Sequence, residues 1–73
     1  MEVFKLTNTG ILKNKIKESG LSITFIARKI GISREYLYQK INGAVEFKQS
    51  EIETLKFLLR LSNNEREAIF FDK

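Results

Sequence analysis

The residues with the most informative chemistry lie in the run REYLYQ, from Arg34 to Gln39. Their side chains match the groups that DNA bases present in the major groove. Arginine can bind guanine through two hydrogen bonds, glutamine can bind adenine, glutamate can accept from cytosine N4, and an aromatic ring can contact a thymine methyl group. This chemistry requires that the side chains share the exposed face of one helix.

Composition excludes several other kinds of chemistry. The 73 residues include no Cys and no His, which excludes disulfides, the usual zinc sites and nucleophilic mechanisms built on Cys or a His base. The carboxylates are scattered, and nothing in the sequence indicates a metal, a cofactor or a small-molecule substrate. We therefore expect a protein that is not an enzyme.

The charge distribution favours a negatively charged partner. The chain has a net charge of +4, and its basic residues are concentrated in one part. Residues 5–48 hold nine basic and three acidic side chains, a net charge of +6, whereas residues 49–73 have a net charge of −1. This bias is typical of a nucleic-acid-binding surface. The alternative is that the lysines only keep the surface soluble.

Five helices are predicted, with boundaries set by capping residues because the chain contains no Pro. The first helix begins after Thr7, Asn8 or Thr9 and ends at Gly20. Residues 1–6 fit an extended strand, a tail packed on the helices or part of a dimer contact. The other predicted boundaries are Ser22 to Gly31, Ser33 to Asn42-Gly43, Ser50 as the cap of the fourth helix, and Ser62 with Glu65 as a capping box for the last.

The second and third helices have the spacing of a helix-turn-helix, over about residues 22–42. Ala27 is small enough for the two helices to cross closely, and Gly31 allows the sharp turn that follows. Apolar residues recur at helical spacing throughout the chain. In the fourth helix, Phe57 and Leu61 are expected to widen the apolar arc.

The run LSITFIARKIGISREYLYQKING, from Leu21 to Gly43, resembles the Cro/CI-type helix-turn-helix proteins of phages and bacteria, the XRE family. The flanking helices resemble small Cro-like regulators of phages of Gram-positive bacteria, so the resemblance covers most of the chain. It implies an all-α, compact five-helix bundle of the lambda-repressor-like type, whose third helix enters the major groove. Two positions depart from the family pattern: Ile23 replaces a frequent phosphate-contacting Gln, and Lys40 replaces a usually apolar residue.

Projection of the third helix at about 100° per residue turns Leu37 and Ile41 towards the core. The expected base contacts on the other side are Arg34, Glu35, Tyr38 and Gln39. Helix N-termini and flanking polar groups hold phosphates, and the expected phosphate contacts are Ser22, Ser33, Tyr36, Lys40, Asn42 and Lys48. The alternatives are that the serines only cap helices, that Glu35 pairs with a neighbouring Lys or Arg side chain, and that the tyrosines pack on the rim of the bundle.

Phe70 and Phe71 are expected to form a dimer interface. Adjacent helical residues diverge by about 100°, so both cannot face one small core. Operators of such regulators are usually two-fold symmetric because the proteins dimerise. The alternative is that the two rings simply close the bundle.

Together these observations predict one domain, residues 1–73, that regulates transcription by binding double-stranded operator DNA as a homodimer. A Cro-like repressor would act by occupying its operator. With no apolar run of about 20 residues and no export signal, we expect a location in the cytoplasm of the bacterial host. The alternative function is a helix-turn-helix interaction module, an antirepressor or adaptor, that binds a protein instead of DNA.

Overall fold

Five helices make up most of residues 7–71, the part of the chain that the computed structural model describes. They are α1 (Thr9–Ser19), α2 (Ile23–Ile30), α3 (Arg34–Ile41), α4 (Gln49–Leu59) and α5 (Asn63–Phe70). No strand occurs among the described residues, so the predicted all-α class is confirmed. The prediction for residues 1–6 concerns residues outside this described range. No helix in this range is long and apolar enough to cross a bilayer.

Most helix ends follow the predicted capping chemistry. In α1, α2, α3 and α5 a side-chain oxygen accepts a hydrogen bond from a backbone N–H three residues later, and these caps are Asn8, Ser22, Ser33 and Ser62. Such caps satisfy N–H groups that the first helical turn leaves without partners. Gly31 ends α2 with a φ of 94°, a left-handed conformation that costs other residues about 1–2 kcal/mol.

The predicted cap of α4 at Ser50 is wrong. Lys48 has the extended backbone that precedes the helix, with φ −78° and ψ 159°. Its N–H donates to Oε1 of Glu51 at 2.8 Å. A carboxylate three residues into a helix can satisfy the N–H of the capping residue, so α4 begins earlier than predicted.

The helices enclose one apolar core. α2 packs against α3 and α4, while α1 contacts α3, α4 and α5. The fully or almost fully buried apolar side chains include Leu12, Ile26, Leu37, Leu55 and Ile69. Leu61 is also buried, but Phe57 is 82% exposed, and its expected place in the apolar arc of α4 is wrong. It lies opposite the buried stripe because Leu55 and Leu59 are each two residues away, about 200° around the helix.

We expect Ala27→Leu to destabilise the protein by about 1–3 kcal/mol, because a larger side chain would overpack the core. Ala27 is 3% exposed, and the carbonyl oxygen of this residue accepts from the N–H groups of both Gly31 and Ile32. Chemical denaturation followed by circular dichroism measures the change. Ala44→Leu is the matched control because Ala44 is exposed. Equal unfolding free energies for the two variants would contradict close packing at Ala27.

Candidate nucleic-acid interface

The turn between α2 and α3 sets how α3 lies on the core. The carbonyl of Ala27 accepts from Gly31 N–H at 2.8 Å and from Ile32 N–H at 3.0 Å, which closes the turn. Ser33 then caps α3 by accepting from Tyr36 N–H at 3.0 Å. Leu37 is fully buried and anchors the helix, so the residues opposite it face solvent.

The exposed face of α3 carries the four predicted base-contacting residues. Arg34, Glu35, Tyr38 and Gln39 are all exposed. Within residues 7–71, no hydrogen bond or ion pair involves the side chain of Arg34, Glu35 or Gln39. The alternative, in which Glu35 forms an ion pair with a neighbouring Lys or Arg side chain, does not occur among these residues. This face therefore presents side-chain donors and acceptors that have no hydrogen-bond partner within residues 7–71.

The predicted phosphate contact at Lys40 is wrong. Its side chain is 1% exposed. The ammonium donates to Oε1 of Glu51 at 2.8 Å and to the carbonyl oxygen of Glu46 at 3.1 Å. It also lies 4.7 Å from the ring centroid of Tyr36 and 5.8 Å from that of Phe47, within range of cation–π attraction. Held this way, the ammonium is not at the surface of the folded protein, where a DNA phosphate could contact it.

The burial of Lys40 changes the predicted roll of α3. With Leu37, Lys40 and Ile41 all buried, the centre of the buried side moves about 30° towards Lys40. Glu35 and Gln39 then lie nearest the middle of the exposed face. Tyr36 lies at its edge, beside the Lys40 ammonium.

Burial and the ion pair act in opposite directions on Glu51. Burial raises the pKa of its carboxyl group, whereas the hydrogen bonds from the Lys40 ammonium and the Lys48 N–H, together with the positive charges, lower it. The net result is a pKa below the usual value of 4.5. The carboxylate is therefore the form that stabilises the fold.

Four other predicted phosphate-contacting residues lie at helix ends. Ser22, Ser33, Asn42 and Lys48 are exposed. The two serine hydroxyls accept capping bonds from Phe25 N–H and Tyr36 N–H, and each keeps its own O–H as a donor. Capping and phosphate binding are thus compatible in these residues.

Tyr38 lines a groove of about 350 Å³ between α1, α3 and the start of α2. Ile16, Ile23 and Ile41 also line this groove, with Lys13, Lys17 and Asn42 completing it. Tyr38 remains 46% exposed. The Tyr38 ring therefore lines this groove at the rim of the bundle, in agreement with the alternative interpretation of the tyrosines. The exposed part of the side chain remains open to a partner.

The predicted dimer contact at Phe70 is wrong, because this residue belongs to the core. Phe70 is 2% exposed, and its ring meets that of Phe47 edge to face at a centroid distance of 5.4 Å. Phe71 is half-buried against the core, and the guanidinium of Arg66 lies 5.7 Å from its ring centroid. For Phe70 the alternative, closure of the bundle, is what the structure contains.

Two residues that form ion pairs, Glu51 and Lys15, could not be recognised as such from the sequence. Glu51 had a local signal, since a carboxylate in the first turn is typical of a helix N-terminus, but Lys40 is eleven residues away. The Lys15 ammonium donates to Oε2 of Glu65, in α5, at 2.6 Å. That hydrogen bond raises the pKa of Lys15 and lowers the pKa of Glu65. No periodic pattern connects residues so far apart.

Comparison with known proteins adds no relative. No protein-family model matches the chain, and no curated protein or solved structure matches it.

Because of the Glu51 ion pair, we expect the free energy of unfolding to decrease at acid pH. Because the folded pKa of Glu51 lies below its usual value of 4.5, its contribution is fully present above that pH and is lost as the pH falls through the folded pKa. Glu65, whose pKa is also lowered, adds to the same loss. Urea unfolding at a series of pH values measures how the free energy of unfolding changes with pH.

Two variants test the assignment to Glu51. Glu51→Gln should remove part of the acid dependence, and Lys40→Met should move it to higher pH because burial then acts on Glu51 without its main opposing partner. An acid dependence that is the same in both variants as in the unmodified protein would contradict this account.

Proposed function

We propose that this protein is a sequence-specific, double-stranded DNA-binding transcription regulator of the lambda-repressor-like helix-turn-helix type. The carrying observation is the exposed face of α3, where the side chains of Arg34, Glu35 and Gln39 have no partners within residues 7–71. In addition, α2 and α3 each begin at an exposed serine. Polar groups that can read base edges lie beside groups that can hold phosphates.

In the proposed complex, α3 enters the major groove and the N-termini of α2 and α3 face the sugar-phosphate backbone. Arg34 binds guanine, Gln39 binds adenine, and Glu35 accepts from cytosine N4. Ser22, Ser33, Asn42 and Lys48 contact phosphates. Tyr36 and Tyr38, both partly exposed, complete the contacts from the edges of the helix.

The mechanism proposed is occupancy. A homodimer on a two-fold symmetric operator would exclude polymerase or a competing repressor from an overlapping promoter, as the resemblance to small Cro-like phage repressors implies. Such a role needs a binding face but no reacting groups. Selection of binders from a random duplex pool by the purified protein tests the proposal, and we expect one enriched motif with two-fold symmetry. No enriched motif at low salt would reject DNA recognition.

Gln39→Ala should relax specificity at one base pair of the selected site. A lost bidentate contact to adenine costs about 1–3 kcal/mol on the preferred site, with a much smaller loss on unrelated DNA. Competition binding with operator variants measures this difference. Ser50→Ala is the control because Ser50 is exposed near the start of α4 and has no proposed contact. Unchanged preferences in Gln39→Ala would mean that α3 is turned differently in the groove.

Two lysines give a matched test of the phosphate contacts. Lys48→Ala should reduce the slope of log K against log salt by about 0.9, because one fewer counterion is released. Lys40→Met should leave the slope unchanged, since its ammonium already binds Glu51 and Glu46. Titrations at several salt concentrations, at a temperature where both variants are folded, measure the slopes. A flatter slope in Lys40→Met would show that this lysine leaves the core to bind DNA.

The groove beside Tyr38 favours one second candidate function, a module that binds a protein. Its isoleucines, Ile16, Ile23 and Ile41, provide an apolar floor, and Lys13 and Lys17 provide positive charge. These features would suit an acidic amphipathic helix. If the DNA selection fails, Ile23→Glu should weaken binding of such a partner helix while leaving the base-reading face of α3 intact.

A further inference from the structure

The groove beside Tyr38 is built from two matching helix faces. On α1 and on α3 its lining residues are spaced i, i+3 and i+4, so they lie on one side of each helix. Each stripe extends about 6 Å along its helix, or roughly one helical turn. The lining residues are Lys13, Ile16 and Lys17 of α1, Ile23 at the start of α2, and Tyr38, Ile41 and Asn42 at the end of α3.

The floor of the groove is apolar and is held in place by the core. Ile16 and Ile41 are buried in the core, and Ile23 is half-buried against it. The groove has a volume of about 350 Å³, and a cavity of about 150 Å³ is enough to hold a benzene ring. It therefore has room for one or two large apolar side chains of a partner.

Two lysines give the groove a positive charge. Lys13 and Lys17 stand one turn apart on its α1 wall, and both are exposed. Within residues 7–71 neither ammonium has a hydrogen bond or an ion pair, and no carboxylate lines the groove. Like charges at i and i+4 repel each other, so a carboxylate placed between these two ammonium groups is favourable.

We propose that this groove binds an acidic amphipathic helix of another protein, and that the helix and DNA exclude each other. Apolar side chains four residues apart on the partner are separated by about 6 Å along its axis, which matches the length of the isoleucine floor. Carboxylates beside them would meet Lys13 and Lys17. A DNA backbone could supply the negative charge but not the apolar side chains that would cover the floor. The partner helix satisfies both parts of the groove.

Exclusion follows from residues that the groove shares with the proposed DNA interface, so this part of the inference rests on the proposed function. Tyr38 and Asn42 line the groove and are also proposed DNA contacts. Ile23 directly follows Ser22, a proposed phosphate contact. A helix about 10–12 Å across, seated between α1 and α3, would occupy the space that a DNA backbone needs at these residues. Its carboxylates would also repel the phosphates. The two candidate functions would then alternate in one chain.

Binding of a designed peptide to the full chain tests the groove. The probe is an alanine-based helix of about 18 residues, long enough to be helical in water, with two leucines four residues apart and glutamates flanking them. One control peptide has lysines in place of the glutamates, and another has alanines in place of the leucines.

Two-dimensional NMR titration should give a Kd at least tenfold lower for the glutamate probe than for either control peptide. The largest shift changes should occur at Ile16, Ile23 and Ile41. No binding of the probe at millimolar concentration, or equal binding of the probe and both controls, would overturn the proposal.

Charge reversal tests the role of the two lysines. In the double variant Lys13→Glu with Lys17→Glu, the glutamate probe should bind at least tenfold more weakly and the lysine peptide at least tenfold more tightly. The matched control is Lys29→Glu with Lys56→Glu, which has the same net charge but changes no residue that lines the groove. Circular dichroism checks the fold of both variants. An equal loss of probe binding in the two double variants would overturn the site, because net charge alone would then explain it.

DNA competition separates this proposal from the proposed function. At about ten times its own Kd, the glutamate probe should raise the apparent Kd for the selected DNA site about tenfold. The peptide without leucines should leave that Kd unchanged at the same concentration. Binding of the probe in the groove by a chain that binds no DNA would reject the proposed function and support the partner site. Unchanged DNA affinity at saturating probe would overturn the exclusion.

Discussion

One buried carboxylate oxygen connects three parts of this fold. Oε1 of Glu51 accepts from the Lys40 ammonium and from the Lys48 N–H, at 2.8 Å each. It therefore ties the last turn of α3 and the residues before α4 to the first turn of α4. Removing two charges from water is costly, and such a pair often adds little net stability, but leaving one partner alone costs about 3–5 kcal/mol. The pair therefore disfavours arrangements of α3 and α4 that would leave one of the two charges buried alone.

The orientation of α3 follows from that constraint. An uncharged apolar residue at position 40 would be satisfied by any apolar neighbour, whereas a buried ammonium needs the carboxylate and the Glu46 carbonyl at hydrogen-bonding distance. Because Lys40 must face these groups, Glu35 and Gln39 must face away from them. The same burial removes one positive charge from the surface, so the proposed DNA contacts depend on geometry and hydrogen bonding as well as on net charge.

Local chemistry could be predicted from the sequence, and distant partnerships could not. The caps at Ser22, Ser33 and Ser62 depend on residues three positions apart, so spacing identifies them. Lys40 pairs across eleven residues and Lys15 across fifty, and no periodicity encodes those distances. Adjacent helical residues diverge by about 100°, so the two terminal phenylalanines could not both face the core. Packing against Phe47, which the sequence does not show, makes Phe70 the buried one. Phe57 was assigned to the core because apolar residues usually are, yet Leu55 and Leu59 already fill that side of α4.

α4 carries the other end of this constraint. Glu51 lies in its first turn, and four residues further along Leu55 is fully buried in the core. Because α4 packs against α1, α2 and α5, the ion pair fixes the roll of α3 relative to most of the bundle and not only relative to α2. A change at Glu51 can therefore alter which side chains of α3 face solvent, although Glu51 itself lies outside that face.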